Sequence, residues 1–209
     1  MREAVIVSAA RTAIGRAKKG SLRDTRPEYF ASKMIEGLVE RTPGLEKESV
    51  DDVIMGCAMP EGEQGMNVAR LISLAAGFPT SVPAITVNRF CCSGSQTIAL
   101  AADSIRAGNS NVVIAGGVES MSMVAMGGNK PIAYPGLMET YPNSYAAMGT
   151  TAEVVARRFE ITREAQDEFA YNSHMKAVAA VDSGKFADEI VPLQVRTRAN
   201  GAWRDFVFD

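Results

Sequence analysis

Four short apolar runs, separated by stretches of helical character, constrain this chain more than any other feature of it. They are Glu3 to Ser8, Asp52 to Ala58, Ala84 to Val87 and Asn111 to Ala115. Runs of strand length, rich in Val and Ile and lacking polar alternation, suit strands buried on both faces. Between the first two, Pro27 to Thr42 sets Phe30, Met34, Ile35, Leu38 and Val39 at steps of three and four, with Pro in the first turn, which predicts an amphipathic helix facing a sheet. The turn residues Gly62 to Gly65 precede a second predicted helix from about Met66 to Ala76, and an Ala-rich helical run after Val87 can end on Gly108 as its C-cap. Strands alternating with helices imply an α/β layered fold with a mostly parallel sheet, whose sites lie at the strand ends.

The balance of charge narrows the partners. Twenty-two basic against twenty-four acidic residues leave a formal charge of −2, which points to neither nucleic acid nor an anionic membrane. Six cations between Arg11 and Arg26 face one acid, Asp24, and read as a solvated loop. With 209 residues, 46% hydrophobic and 22% charged, there is material for one or two domains and a sizeable core. Three cysteines, two of them adjacent, form neither a disulfide framework nor a zinc pattern and suggest a reducing compartment. The N-terminal apolar run is too short for a signal peptide, and no run of about twenty apolar residues occurs. The expected location is cytoplasmic.

The stretch Thr86 to Gly108 places Cys91 and Cys92 at the turn between a strand and a helix. The first turn of a helix leaves backbone N–H groups unpaired, and their partial positive charge suits an anionic sulfur and the oxyanion formed when it attacks a carbonyl. Free cysteine also packs well in cores, and these physical arguments do not choose between the two thiols. The arrangement Asn88-x-x-Cys91-x-Ser93-Gly94, with Gln96 and the Ala-rich helix behind it, resembles the nucleophile segment of the thiolases, which transfer acyl groups to and from coenzyme A. In that family the cysteine three after the asparagine carries the acyl group, so the resemblance implies Cys91. Two positions depart from the pattern: Cys92 stands where a small residue without a thiol is usual, and Ser95 where Leu is usual. The departures bear on local packing and on oxidation of the site.

Further segments resemble the same family in the same order: Arg11 to Gly15 after the first run, Gly116 to Ser122, Met148 to Glu153, and Phe186 to Val195 as a following strand. Residues 123 to 147 form a long aperiodic stretch with Gly127, Gly128, Pro131, Pro135 and Pro142, together with Met and Tyr residues, and suit a functional loop or a covered surface. The resemblance implies an insertion that covers substrate and helps assemble a homodimer or homotetramer, with Met148 lining the acyl and pantetheine pocket. Ala147 precedes it where acetoacetyl-forming members often carry a histidine, which tilts the reading towards the degradative, longer-chain type. Thr150 and Glu153 have capping-box spacing, and Thr162 is placed to cap the helix that ends near Gly184. His174, the one histidine, lies in that helix and reads as a surface residue; Cys57 reads as a buried structural thiol.

The expected organisation is an incomplete α/β core over residues 1–120 and, over 121–209, a loop-rich insertion with the start of a return to the core. The resemblance implies an acyl-CoA C-acyltransferase that cleaves 3-ketoacyl-CoA or condenses acetyl-CoA, with a place in fatty acid β-oxidation. Coenzyme A thioesters are its substrates, and no other cofactor is implied. The family's Asn-Glu-Ala-Phe and Gly-His-Pro motifs are absent from these residues, and the one Cys-x-Gly, Cys92-Ser93-Gly94, belongs to the nucleophile segment itself, so the histidine base and the second catalytic cysteine are expected from a C-terminal half in the same or another chain. Alone, this half is expected to be inactive and prone to self-association. Two alternatives stay open, a 3-ketoacyl synthase and a non-catalytic acyl-CoA or lipid-binding module.

Overall fold

The computed structural model describes residues 2–199 and 201–209. Its contacts group the chain into two compact units, one holding the residues up to Asn129 together with Glu189–Asp209, the other Lys130–Asp188.

In the first unit, β1 (Asp52–Gly56) is the middle strand of a parallel three-stranded sheet in the order β2 (Ala84–Val87), β1, β3 (Val113–Gly117). Its central position explains its composition, because a strand covered on both faces has no use for polar alternation. Val53, Met55 and Cys57 join one cluster with Phe30 and Ile35 of α1 (Pro27–Glu40) and Val68 and Ile72 of α2 (Val68–Ala75). Ile54, also buried, belongs to the opposite face by the two-residue period of a strand, the face on which Gly56 meets the start of α3 (Ser93–Ala107). Gly108 ends α3 in the left-handed conformation, φ 79°, as expected of a C-cap glycine. β3 starts two residues later than the apolar run suggests. The N–H groups of Asn111 and Val112 are taken by the Asp51 carboxylate, at 2.5 and 3.1 Å, so the parallel ladder begins only at Asp52 and Val113.

The expected strand at Glu3 to Ser8 is a correction. These residues join no ladder, and Val5, Ile6 and Val7 are 67%, 75% and 80% exposed. An apolar run becomes a strand only when a neighbour takes its N–H and C=O groups. Here the run is tied beyond its two ends, by Arg2 Nη2 donating to Asn111 Oδ1 (2.7 Å) and Lys18 N to Ser122 Oγ (2.9 Å). In between, an open cleft of about 1260 Å³ separates it from the edge of β3. Farther along, Arg11 bridges to Ile190.

The predicted strand over Phe186 to Val195 also moves. The segment first turns after Gly184 (φ 69°), and strand structure starts at β4 (Leu193–Ala199), which pairs antiparallel with β5 (Ala202–Phe208). Leu193 and Val195 join the core, while Asp24 accepts from Thr197 Oγ1 (2.9 Å) and Arg198 N (3.0 Å). Those two hydrogen bonds, backbone first, hold the Asp24 carboxyl below its ordinary range.

The second unit consists of α4 (Pro135–Thr140), α5 (Met148–Arg158) and α6 (Arg163–Asp182) with irregular chain between them. The capping box expected at Thr150 and Glu153 does not form. The helix starts earlier, with Ala147 as an extended N-cap accepting from Thr151 N, so Thr150 lies inside α5. Thr162 does cap α6, its hydroxyl accepting from Ala165 N at 3.2 Å.

Candidate active site

Three parallel strands end on the same side of the sheet, and the segments that leave them carry every polar group of the site. β2 leads through Asn88 and Arg89 into a 3-10 turn, Phe90–Cys92, and then α3. Phe90 sits at φ 47°, a left-handed conformation that costs a bulky side chain about 1–3 kcal/mol and persists only where neighbours enforce it. They do so from both sides. Asn88 Oδ1 accepts from Phe90 N (2.8 Å), while Ser93 Oγ accepts from Arg89 N (2.9 Å) and donates to Phe90 O (2.6 Å). The turn is also pinned to the loop that leaves β1, because Asn88 Nδ2 donates to Ala58 O at 3.0 Å.

Helix α3 lies tight against the sheet beneath this turn. A Cβ on Gly56 would come within 2.6 Å of the Ser93 carbonyl carbon and 2.8 Å of Gly94 N, so only glycine permits the approach. Thr97, fully buried, shares its hydroxyl proton between Gly94 O (2.7 Å) and Gly116 O (3.1 Å), joining α3 to the end of β3.

The two adjacent thiols differ. Both are exposed, but Cys92 Sγ donates to Arg89 O within its own turn at 3.2 Å, whereas the Cys91 sulfur has no hydrogen-bond partner among the described residues. Cys91 is therefore presented at the strand-to-helix turn with its sulfur uncommitted. Cys57 is 1% exposed and lies 3.8 Å from Glu119 Oε1. Burial first, and the neighbouring Glu119 charge second, push its thiol up to about 12. It stays a protonated structural thiol.

Glu119 and Gln64 complete the site, and sequence reasoning gave neither a role. Glu119 Oε2 accepts from Ala58 N (2.7 Å), and Oε1 from Met59 N (3.3 Å) and Gln64 Nε2 (2.6 Å). Gln64 is fully buried, its Nε2 also donating to Met59 O (2.9 Å) and its Oε1 accepting from Ser120 N. Glu119 had a signal, in the Gly116 to Ser122 segment; Gln64 looked like one of several turn residues. Met148, 63% exposed, is the first residue of α5 in the second unit, and His174 lies exposed on α6 of that unit. Among the described residues no cluster of three His, Cys, Asp or Glu side chains is placed to hold a metal, and no helix is long and apolar enough to cross a membrane.

The chain is similar over nearly its whole length to proteins of one family. The family described as Thiolase, N-terminal domain, matches residues 4–205. A 3-ketoacyl-CoA thiolase of Bacillus subtilis (strain 168) is 51% identical over 195 residues, 93% of this chain and 50% of that protein. A 3-ketoacyl-CoA thiolase of Yersinia pestis (strain Pestoides F) is 40% identical over 209 residues, 100% of this chain and 54% of that protein. Among solved structures, the crystal structure of the Bacillus anthracis acetyl-CoA acetyltransferase matches all of this chain and 55% of its own, with a TM-score of 0.80 and 36% identity. The chain spans about half the length of these relatives.

Proposed function

Because this chain belongs to the thiolase family, we propose that it supplies the acyl-accepting cysteine, Cys91, of an enzyme that cleaves 3-ketoacyl-CoA or, in reverse, condenses acetyl-CoA. The observation that carries the reading is the contrast between the uncommitted sulfur of Cys91 and the hydrogen-bonded sulfur of Cys92. In the cleavage direction the Cys91 thiolate attacks the 3-keto carbon. A sulfur–carbon bond forms, and the carbonyl electron pair moves onto oxygen. When that oxyanion collapses, the bond between the 2- and 3-carbons breaks, and the acetyl-CoA enolate departs and takes a proton at its 2-carbon. The shortened acyl group, held as a thioester on Cys91, then passes to the thiol of a second coenzyme A.

In this mechanism the part played by these residues is presentation. The Asn88 and Ser93 hydrogen bonds hold the strained turn, so the sulfur is oriented before substrate arrives. The groups that take up and return protons, implied by the family to be a histidine and a second cysteine, belong in our reading to the remainder of a longer polypeptide or to a partner chain. Met148 is proposed to line the acyl and pantetheine pocket, and Ala147 before it favours the degradative, longer-chain type. A cytoplasmic homodimer or homotetramer serving fatty acid β-oxidation, with coenzyme A thioesters as its only small-molecule partners, completes the reading.

Thiolysis of a 3-ketoacyl-CoA by the full-length gene product tests it. Cys91→Ala is expected to lower kcat by at least about a thousandfold, the scale on which loss of a nucleophile is felt, whereas Cys92→Ala retains most of the activity. Equal losses in both variants would leave Cys91 without its special role, and reversible binding of acyl-CoA with no turnover by wild type would favour a binding module.

A further inference from the structure

Glu119 lies two residues past the end of β3 and is exposed. Its carboxylate nevertheless takes three N–H donors from one small region: the backbone of Ala58, the backbone of Met59 and the side chain of Gln64. Exposed carboxylates that only solubilise a surface do not converge on adjacent backbone donors in this way. The region they grip leads straight to the nucleophile turn. Ala58 turns its N–H to Glu119 and its carbonyl to Asn88 Nδ2, and Asn88 Oδ1 in turn holds the N–H of Phe90, the residue before Cys91. One side chain therefore separates the Glu119-bound loop from a turn whose left-handed Phe90 depends on outside support.

We propose that Glu119 is a positioning residue for Cys91: it fixes the Ala58–Met59 loop, the loop fixes Asn88, and Asn88 holds the turn that presents the sulfur. Fully buried Gln64 braces the same loop from behind, bonding Met59 O, Ser120 N and Glu119. The Cys57 thiol adds a fourth donor to the Glu119 carboxylate at 3.8 Å. Gln64 spends both amide protons and its oxygen, and Asn88 uses its oxygen and one amide proton. Replacing Glu119 by Gln keeps the shape but turns an NH₂ group towards N–H donors, so at least one donor among Ala58, Met59 and Gln64 loses its acceptor. Replacement by Asp keeps both acceptors and the charge but withdraws them by one methylene.

This inference rests on the proposed role of Cys91, and its test separates the two. Iodoacetamide labelling of the full-length gene product, resolved by peptide mass spectrometry, gives the ratio of Cys91 to Cys92 reaction rates without any acyl transfer. In Glu119→Gln that ratio is expected to fall about tenfold, of the order produced by small misplacements of a reacting group. Glu119→Asp is expected to restore part of it, and kcat for thiolysis to fall in parallel while KM changes little. A wild-type ratio in Glu119→Gln, whatever its thermal stability, overturns the proposal even if Cys91→Ala is inactive. A wild-type protein with no preference for Cys91 over the urea-unfolded chain overturns it too. Should Glu119→Gln not fold, Glu119→Ala, which points no amide at the freed donors, is read in the same way.

Discussion

Each of the three cysteines is defined by what surrounds its sulfur. Cys57 is enclosed between the end of β1 and Glu119, Cys92 bonds back to its own turn, and Cys91 has no hydrogen-bond partner among the described residues. Because burial and the Glu119 charge raise the Cys57 thiol from 9.0 to about 12, the folded state favours its protonated form over the range where the unfolded chain would ionise. The stabilisation is therefore complete below about pH 9 and is lost as pH rises towards 12. A denaturant midpoint that declines across that interval, and declines less in Cys57→Ala, is the expected result. Native Cys57 is also expected to resist iodoacetamide at neutral pH while Cys91 reacts, and to label only after unfolding; rapid native labelling would contradict its enclosure. At this scale the sequence was informative about type and silent about partners. Two adjacent cysteines after a strand marked the site, but that Asn88 and Ser93 grip opposite sides of Phe90 is a relation between atoms brought together by the turn itself.

Among the elements, the contact between α3 and β1 decides where the nucleophile turn sits. Gly56→Ala would drive a methyl group against backbone of Ser93 and Gly94, and backbone cannot rotate out of the way. A loss of about 1–3 kcal/mol is expected, the usual cost of overpacking, with slower labelling of Cys91; an unchanged denaturation midpoint would show that α3 does not depend on this approach. Helices α1, α2 and α3 and strands β1 and β2 were legible because period, Pro and Gly all agreed on them. The failures share a cause, which is that strand structure depends on a partner. The Glu3 to Ser8 run has strand composition but, among the described residues, no neighbouring strand to take its backbone groups. The β4–β5 hairpin went unrecognised although Asn200-Gly201 between two alternating runs is a strong turn signal.

At the level of the whole molecule, the relatives run to about twice this length. The unpaired edge of β3, the cleft beside it and the exposed Val5, Ile6 and Val7 all lie in the unit that carries Cys91. The strand-end site was readable as a location from the alternation of strands and helices, and as chemistry only through resemblance, since position at a strand-to-helix turn does not by itself choose between Cys91 and Cys92. The central claim is that acyl groups pass through Cys91. It is tested most directly by quenching the full-length gene product in acid during turnover of a 3-ketoacyl-CoA and mapping the trapped acyl group by peptide mass spectrometry. The account predicts the acyl mass on Cys91 with Cys92 unmodified. An acyl group on Cys92 or elsewhere, or undiminished turnover in Cys91→Ala, would contradict it.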